Sequence, residues 1–342
     1  MIPHNMPCLN KEEEQAAIRV IRSGWVAQGQ EVQSFENEAC SFLGLPDGHA
    51  VAVSSGTAAL FLALWVLNAR DKKVALPAYA CSALRNACAL SRGIPLLVDN
   101  GVGSPNVDLQ FVEHSDADIA IIAHMFGMPV AVSKKTPIDI IEDCAQALGA
   151  TVGGVPVGTQ GRLGIYSFFA TKLITSGGQG GMIVSKEQAL IDEIRDYREF
   201  DCRRDRKDRF NFKMTDLQAA VGRVQLQKLP GFIMRRQKIF DNYKQAGLSM
   251  MDVSPDSKPP LKAVRFRAIL KTNKPQAIID VLGESNIKSI VPIEEWELLG
   301  DSSLFPSASD LTKKTVSLPI YPSLTDQEVD LIISVLRRGE EK

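Results

Sequence analysis

The 342-residue sequence lacks the features that mark several classes of protein. It contains only four histidines and six cysteines, and no two cysteines form a Cys-x-x-Cys pair. A zinc site of the usual ligand spacing is therefore not expected. No apolar run is long enough to cross a bilayer, and the opening residues lack the apolar stretch of a signal peptide.

The sequence also has no marked excess of either basic or acidic side chains. The 39 basic side chains nearly balance the 40 acidic ones, which leaves no basic surface for nucleic acid or an anionic membrane. We therefore expect a cytoplasmic protein with free thiols, without a metal, and without a nucleic-acid or membrane partner.

Short apolar runs alternate with helical segments through the first half of the chain. The runs include HAVAVSS, KVALPA, PLLVD, ADIAIIAH and PIDIIEDCA, and a further run, LGIYSFFA, has GGMIVSK as a hairpin partner. Strands that alternate with helices predict a mostly parallel sheet covered by helices on both faces.

The character of the sequence changes after about residue 186, where long amphipathic helices follow one another. The segment PDSKPP then marks a boundary. After it, KAVRFRAIL and KTVSLPI are predicted strands, and KPQAIIDVLGES and DQEVDLIISVLRR are predicted helices. We predict an α/β fold with a large domain of residues 1–250, which includes two N-terminal helices, and a small α+β domain of residues 251–342.

The first candidate site is SSGTAAL, Ser54–Leu60, where a strand runs into a glycine-containing turn and a helix. Exposed N–H groups and the helix dipole at such a place favour a phosphate. An ordinary helix N-cap would have the same sequence, so this segment alone leaves both interpretations open.

The second candidate site is Asp143 in IEDCAQALGA, at the carboxyl end of a very apolar strand. Open α/β sheets bind their ligands at that end, and a buried carboxylate needs a cationic partner. Asp143 could instead cap the following helix. Gln146 is three residues further on and can project from the same end.

The third candidate is Lys172 in SFFATKLITSGGQGG. A lysine among apolar walls has a lowered pKa, which makes its amine a nucleophile for an aldehyde. Nearby glycines would let the backbone approach a bulky ring, and Ser167 could donate to an anion. A solvated surface lysine is the alternative.

The three sites together point to one cofactor. A phosphate turn, a carboxylate for a protonated ring nitrogen and an imine-forming lysine are the requirements of pyridoxal 5′-phosphate (PLP). Their order along the chain is that of the aspartate-aminotransferase-like PLP enzymes.

The chain resembles the DegT-type (DegT/StrS) PLP-dependent sugar-nucleotide aminotransferases over nearly its whole length. The motifs that carry the resemblance are IRSGWVAQGQEVQSFENEACSFLG, SSGTAALFLAL, IEDCAQALGA, GRLGIYSFFATK, RFNFKMTDLQAAVGRVQLQKL and VSLPIYPSLT. The resemblance implies the fold-type I PLP-transferase fold and a homodimer with shared active sites.

The resemblance also implies roles for single residues. Lys172 would hold the cofactor covalently and act as the catalytic acid and base. Asp143 would pair with the pyridine nitrogen, Ala145 would pack on the ring, and Gln146 would bond the ring hydroxyl. The implied phosphate ligands are Gly56, Thr57, Ser167 and Asn211, the last reaching the neighbouring subunit.

Three departures from the family pattern concern the substrate more than the lysine. Cys81, in PAYACSA, occupies the position where the family has an aromatic residue that stacks on the cofactor ring. Tyr79 would take over the stacking if both side chains face one side of an extended segment. Alternatively, Cys81 itself packs on the ring. Gln179 replaces an acid in TSGGQGG. The segment VPIEEWELLGDSSLFPSA matches the family poorly.

Further expectations concern residues outside these motifs. His124 is expected to have a structural hydrogen-bonding role, and Trp65 and Trp296 are expected to pack. Four arginines of the charged segment CRRDRKDRFNF are candidates for a substrate diphosphate: Arg203, Arg204, Arg206 and Arg209.

We therefore predict an aminotransferase that takes an amino group, from L-glutamate, to a nucleotide-linked keto sugar. Two alternatives are a non-catalytic or regulatory protein of the PLP fold and a PLP enzyme of another reaction type, such as a lyase.

Overall fold

The computed structural model describes residues 1–132 and 136–340 of the chain. In chain order, the strands are β1 (Ala50–Val53), β2 (Lys73–Pro77), β3 (Ile94–Val98), β4 (Ile119–Ala123), β5 (Asp139–Asp143), β6 (Thr151–Val152), β7 (Val155–Pro156), β8 (Leu163–Ser167), β9 (Gly181–Val184), β10 (Leu261–Lys262), β11 (Ala268–Lys271) and β12 (Thr315–Leu318). The α-helices are α1 (Lys11–Ser23), α2 (Gln30–Leu43), α3 (Gly56–Val66), α4 (Ala83–Leu90), α5 (Leu109–Glu113), α6 (Gln188–Arg198), α7 (Asp216–Gln245), α8 (Pro275–Glu284), α9 (Pro306–Lys314) and α10 (Asp326–Glu340).

The central sheet has seven strands in the order β1-β9-β8-β5-β4-β2-β3. The neighbours β8-β5-β4-β2-β3 pair in parallel, and β9 is antiparallel to both β1 and β8. The mostly parallel sheet and the β8–β9 hairpin are thus confirmed. The carboxyl ends of all strands except β9 lie at one edge of the sheet, which is where ligands bind in such folds.

Helix α3 explains why the sheet edge is held rigidly. Its residues Ala58–Leu64 are all buried, as expected for a helix that is apolar all round. It packs on β8 and β9 and is covered by α4 and α6. The N-terminus of α3 is therefore fixed beside the carboxyl end of β8.

Helix α7 joins the two parts of the chain. Thr215 and Gln218 form a capping box at its start, and its first turns pack on α1 and α2. Its last turns, with Ile239, Phe240 and Tyr243, belong to the core formed by β11, β12, α8 and α10, which Ile2 also joins. The division at residues 250 and 251 remains a prediction, because this core draws side chains from both sides of it.

The predicted strand KAVRFRAIL was wrong over its middle. Lys262 ends β10, which pairs with β6, and β11 begins only at Ala268. The residues between them bond elsewhere: Val264 N donates to Gly127 O at 3.0 Å, and two carbonyls accept from Arg236. Across the described residues, no helix combines the length and apolar character needed to cross a membrane.

Candidate active site

The helix N-terminus at Gly56 offers unpaired backbone donors. Ser55 Oγ accepts from Ala58 N at 3.1 Å, so the N-cap interpretation holds. In the described part of the chain, Gly56 N and Thr57 N donate to no protein atom. A Cβ built on Gly56 would lie 3.0 Å from Ser167 Oγ, so that hydroxyl lies against the turn. The predicted donors come together at the positive end of α3, and they fit a phosphate.

Asp143, the last residue of β5, is a buried carboxylate with few partners. It is 9% exposed, and its Oδ1 accepts from Ala145 N at 2.9 Å. Burial raises the pKa of Asp143, and the Ala145 hydrogen bond and the charge of Lys172 oppose that shift. A buried carboxylate with few hydrogen bonds is suited to pair with a cationic ring nitrogen, because the cation would offset the free-energy cost of burying the carboxylate.

Lys172 lies in the loop that follows β8. Burial lowers the pKa of its amine, while the charge of Asp143 opposes that effect. Lys172 Nζ lies 5.5 Å from the centre of the Phe266 ring, and it makes no ion pair or hydrogen bond with the residues that the structure describes. The side chain is partly buried rather than solvated, so its amine is available to react with an aldehyde.

The glycines after Lys172 serve the loop and the neighbouring turn. Gly177 and Gly178 have φ values of 73° and 126°, which side chains rarely adopt. A Cβ on Gly181 would lie 2.4 Å from Ser55 O. Gly181 thus allows the β8–β9 hairpin to approach the backbone before α3, and the expected close approach of the glycines to a cofactor ring stays a prediction.

Ala145 and Gln146 follow Asp143 directly. Ala145 is partly buried against the core under α3. Gln146 Oε1 accepts from Phe126 N at 2.8 Å, so this amide braces the turn after β4. The contacts predicted for both residues with a cofactor ring remain predictions.

Cys81 and Tyr79 do not face the same side. Cys81 is exposed, whereas Tyr79 is fully buried against Phe126, with ring centres 6.1 Å apart. Residues 78–80 form bends rather than a strand, so the alternation of an extended segment does not apply. Tyr79 therefore does not replace the stacking aromatic residue.

Asn211 lies on an exposed segment beside the same helix N-terminus. Ser54 N donates to Phe212 O at 2.9 Å, and Lys213 bridges to Val53. Asn211 Oδ1 accepts from Lys213 N at 3.1 Å. The segment is thus held at the end of β1 in its own chain, and contact of Asn211 with a partner's phosphate stays a prediction.

Two of the candidate arginines are used in the chain itself. Arg209 pairs with Asp196 at 2.8 Å and with Asp205 at 2.7 Å, and its side chain is only 3% exposed. Arg203 also pairs with Asp196. These two are therefore not available for a diphosphate without breaking internal ion pairs.

His124 has the structural role that was expected. Its Nδ1 accepts from Val130 N at 3.0 Å, so its Nε2 carries the proton donated to Glu142 Oε2 at 3.0 Å. Cys144 lies in the same buried group. Both ring nitrogens and both carboxylate oxygens are engaged by protein groups, which makes this group a hydrogen-bonded core element rather than a metal centre.

Sequence reasoning missed the residues that the C-terminal part brings to the pocket. Phe266 lies over Lys172, and Arg267 lies beside Phe266, with its Cζ 5.7 Å from the ring centre. Neither belongs to a motif, and both are almost a hundred residues from Lys172. A signal was nonetheless present, because an arginine between apolar residues of a predicted strand needs a partner.

Comparisons with known proteins identify the family of the chain. The sequence model of the DegT/DnrJ/EryC1/StrS aminotransferase family matches residues 7–337. GDP-perosamine synthase of Escherichia coli O157:H7 is 28% identical, over 96% of this chain and 95% of that protein. The dTDP-4-dehydro-2,3,6-trideoxy-D-glucose 4-aminotransferase of Saccharopolyspora spinosa is also 28% identical, over 100% and 97%.

Solved structures show the same fold. Spr1654 of Streptococcus pneumoniae in its PLP form superposes with a TM-score of 0.88 at 23% identity, over 99% of this chain and 98% of that one. The fold and the match over nearly the whole sequence lead to one conclusion. The chain belongs to the DegT/DnrJ/EryC1/StrS aminotransferase family and is a PLP-dependent aminotransferase.

Proposed function

We propose that this aminotransferase moves an amino group from L-glutamate to a nucleotide-linked keto sugar, with Lys172 as the catalytic acid and base. One observation carries the proposal: the partly buried Lys172 amine and the buried Asp143 carboxylate both lie at one edge of the sheet. The amine makes no hydrogen bond with the described residues, and the carboxylate accepts one from Ala145 N. The open N–H groups of α3 complete the set.

PLP, when bound, supplies the electron sink for the reaction. Its phosphate would be held by Gly56 N, Thr57 N and the Ser167 hydroxyl, with Asn211 of the neighbouring subunit as a further ligand. Asp143 would keep the ring nitrogen protonated. Ala145 and Cys81 would contact the ring, and Gln146 would bond the ring hydroxyl.

The proton transfer is the task of Lys172. Because burial lowers the pKa of the amine, more of it is neutral near pH 7 than for a solvated lysine, and a neutral amine can accept a proton from the donor carbon. With PLP bound, Lys172 Nζ would then give up that proton again as the catalytic acid. In the second half of the reaction, Lys172 Nζ would move a proton in the opposite direction, toward the sugar carbon.

The substrate class rests on the relatives. The proteins compared above act on a GDP-linked and a dTDP-linked sugar by name, and both match this chain over nearly its whole length. We extend to this chain what they share, a keto sugar carried on a nucleoside diphosphate. We also propose a homodimer with shared sites, in which Asn211 reaches the partner's phosphate, and a cytoplasmic location, with which the six free cysteines are compatible.

A spectroscopic experiment tests the function. Protein purified with PLP should show a visible band that L-glutamate bleaches while 2-oxoglutarate forms, and GDP- or dTDP-linked 4-keto sugars should restore it. Borohydride reduction before digestion should fix the cofactor to the peptide that contains Lys172. Lys172→Ala should lose both the linkage and the bleaching, and the exposed Lys271→Ala should keep them.

Three results would contradict the proposal, each in its own way. A protein that forms the band but releases ammonia or pyruvate from amino acids is a lyase. One that binds PLP yet responds to no amino acid is non-catalytic. Bleaching by glutamate without recovery on any nucleotide-linked keto sugar would remove the sugar from the proposal.

A further inference from the structure

The Lys172 amine lies against an aromatic ring. Lys172 Nζ is placed over the ring of Phe266, 5.5 Å from its centre. A cation within about 6 Å of a ring centre is attracted by the negative face of the ring, and the attraction is stronger where water is excluded. The ring therefore stabilises the charged form of the amine without a salt bridge.

The same position keeps the amine apart from the carboxylate at this edge of the sheet. Opposite charges attract strongly where water is scarce, yet no oxygen of Asp143 lies within 4 Å of Lys172 Nζ. Asp143 instead accepts from Ala145 N. The carboxylate is thus left open to a cationic ring nitrogen, and no internal ion pair has to be broken before the cofactor binds.

The Phe266 ring is fixed by the backbone that carries it and by the core around it. Phe266 N donates to Val264 O at 2.8 Å, and Phe266 O accepts from Arg236 Nη1 at 3.2 Å. The residue is only 5% exposed, and it belongs to the same core cluster as Leu173. The ring and the loop that carries Lys172 therefore pack together as one unit.

Other charged and titratable groups also face Lys172. Burial has the largest effect on the pKa of the amine and lowers it. The charge of Asp143, at the end of β5, opposes that shift, and the charge of Arg267, just before β11, adds to it. The remaining groups near the lysine are the thiols of Cys8 and Cys81 and the guanidinium of Arg236. An aromatic ring differs from all of these because it favours the ammonium without itself titrating.

We propose that the Phe266 ring holds the Lys172 amine in place whenever that nitrogen is not bonded to the cofactor, and that it stabilises the ammonium formed when Lys172 accepts a proton. This inference rests on the proposed function, since it deepens the role of Lys172. The amine has to be free before it can take a proton from the donor carbon. The proton creates a cation, and the ring face stabilises that cation. Phe266 is therefore a positioning residue that acts through Lys172.

The first experiment examines the Lys172 amine in the cofactor-free protein, without turnover. Its reactivity toward acetic anhydride is followed across the pH range by mass spectrometry of the Lys172 peptide, and the midpoint gives the pKa of the amine. Phe266→Leu should lower this midpoint by about one unit, because the ammonium loses its ring. Phe266→Tyr, which keeps a ring, should retain it. A midpoint that stays or rises in Phe266→Leu would overturn the proposal.

Phe240→Leu is the matched control. Phe240 is also buried with a cation over its ring, since Arg265 Cζ lies 3.9 Å from the ring centre. It belongs to the core formed by β11, β12, α8 and α10. Its replacement removes the same atoms from a core and should leave the Lys172 midpoint unchanged. Equal shifts in both leucine variants would report a general loss of packing, and they too would count against the proposal.

Fluorinated phenylalanines cover the case in which Phe266→Leu fails to fold. Fluorine atoms withdraw negative charge from the face of the ring while the shape of the side chain changes little. The Lys172 midpoint should fall step by step from phenylalanine to its mono-, di- and trifluoro forms at position 266. An identical midpoint in all these proteins would show that the ring only fills space, and the proposal would be wrong.

Turnover with L-glutamate separates this proposal from the proposed function. In the protein with PLP, Phe266→Leu should lower the maximal rate of bleaching by at most about tenfold, the equivalent of one pKa unit. The glutamate concentration for half-maximal bleaching should not change, because the ring does not touch the donor. A raised concentration at an unchanged rate would make Phe266 a donor contact and overturn the proposal. A wild type that glutamate does not bleach would overturn the proposed function, and the labelling experiment would still decide the role of Phe266.

Discussion

Two neighbouring carboxylates at the end of β5 have opposite surroundings. Glu142 accepts from His124 Nε2 at 3.0 Å, Gly161 N at 2.8 Å, and both the backbone and the side chain of Gln160, at 2.7 and 3.1 Å. Asp143 accepts from Ala145 N. Because successive residues of a strand point to opposite faces, one carboxylate is built into the core and the other faces the pocket.

The pKa values of the two acids follow from those contacts. Burial acts to raise the pKa of Glu142, but the hydrogen bond from His124 and those from the backbone donors lower it overall. Burial raises the pKa of Asp143, and its few partners do not reverse the shift. The comparison teaches that the candidate functional acid, Asp143, is the one with fewer hydrogen bonds to the described residues.

The largest expected effect comes from Asp143→Asn. An amide cannot hold a proton on the cofactor's ring nitrogen, so we expect the rate of bleaching by L-glutamate to fall about 100- to 1000-fold. The variant should fold and bind PLP. The matched control is Glu142→Gln, whose folded fraction should bleach at the wild-type rate, and equal losses in both variants would contradict the assignment.

Glu142→Gln should have the larger effect on stability. All four groups that face Glu142 are donors, so the amide nitrogen of glutamine would meet N–H groups and leave buried donors unpaired. We expect a loss of about 3 kcal/mol in the free energy of unfolding, measured by urea titration of the cofactor-free protein. A stability equal to that of the wild type would show that the Glu142 network is not structural.

The pH dependence of stability should separate the two acids by sign. Asp143 has a raised folded pKa, so the stability it allows is full below the ordinary value of 3.8 and is lost as the pH rises through the folded pKa. Cofactor-free Asp143→Asn should therefore be more stable than the wild type at about pH 8 and equal to it near pH 4.

Glu142 should behave in the opposite way, because its folded pKa is lowered. Its stabilisation is full above the ordinary value of 4.5 and is lost as the pH falls through the folded pKa. The deficit of Glu142→Gln should be largest near neutral pH and shrink in acid. Melting temperatures of both variants across the pH range check this, and curves of the same sign would contradict it.

The smallest effect on stability should come from two buried tyrosines. The hydroxyl of one donates a hydrogen bond, and the hydroxyl of the other makes none with the described residues. Tyr79→Phe removes a hydroxyl that makes no hydrogen bond with the residues the structure describes, and it should raise the free energy of unfolding by about 0.5 kcal/mol. Tyr243→Phe removes a hydroxyl that donates to Pro319 O at 2.9 Å and should lower it by about 1 kcal/mol. Denaturant titrations of both proteins give the comparison, and a destabilised Tyr79→Phe would show that its hydroxyl has a partner.

Local sequence patterns predicted the large part of the chain well. The strands that end at Val53, Asp143 and Ser167 are short apolar runs, and each is followed by the polar residue or turn that the site uses. Because parallel strands end at one sheet edge, the order of these runs was enough to bring Gly56, Asp143 and Lys172 together.

The rest of the pocket depends on contacts that no local pattern encodes. Phe266 reaches Lys172 because Arg236 and Gly127, from distant segments, hold the backbone of residues 264–266. Residues 78–80 bend, so Tyr79 turns into the core. Trp296 was expected to pack and is 82% exposed instead, since its helix Glu295–Glu297 lies on the surface.

The first five residues of the chain contact two distant parts of the molecule. Ile2 pairs with Ile287, His4 Nε2 lies 2.8 Å from Ser317 Oγ, and Asn5 Nδ2 donates to Thr171 O at 2.8 Å, next to Lys172. This stretch therefore ties the C-terminal part of the molecule to the lysine loop. A preparation clipped by a protease after Asn5 would keep its spectrum of secondary structure and still differ in turnover from batch to batch, so intact mass is the quality control to run before any kinetics.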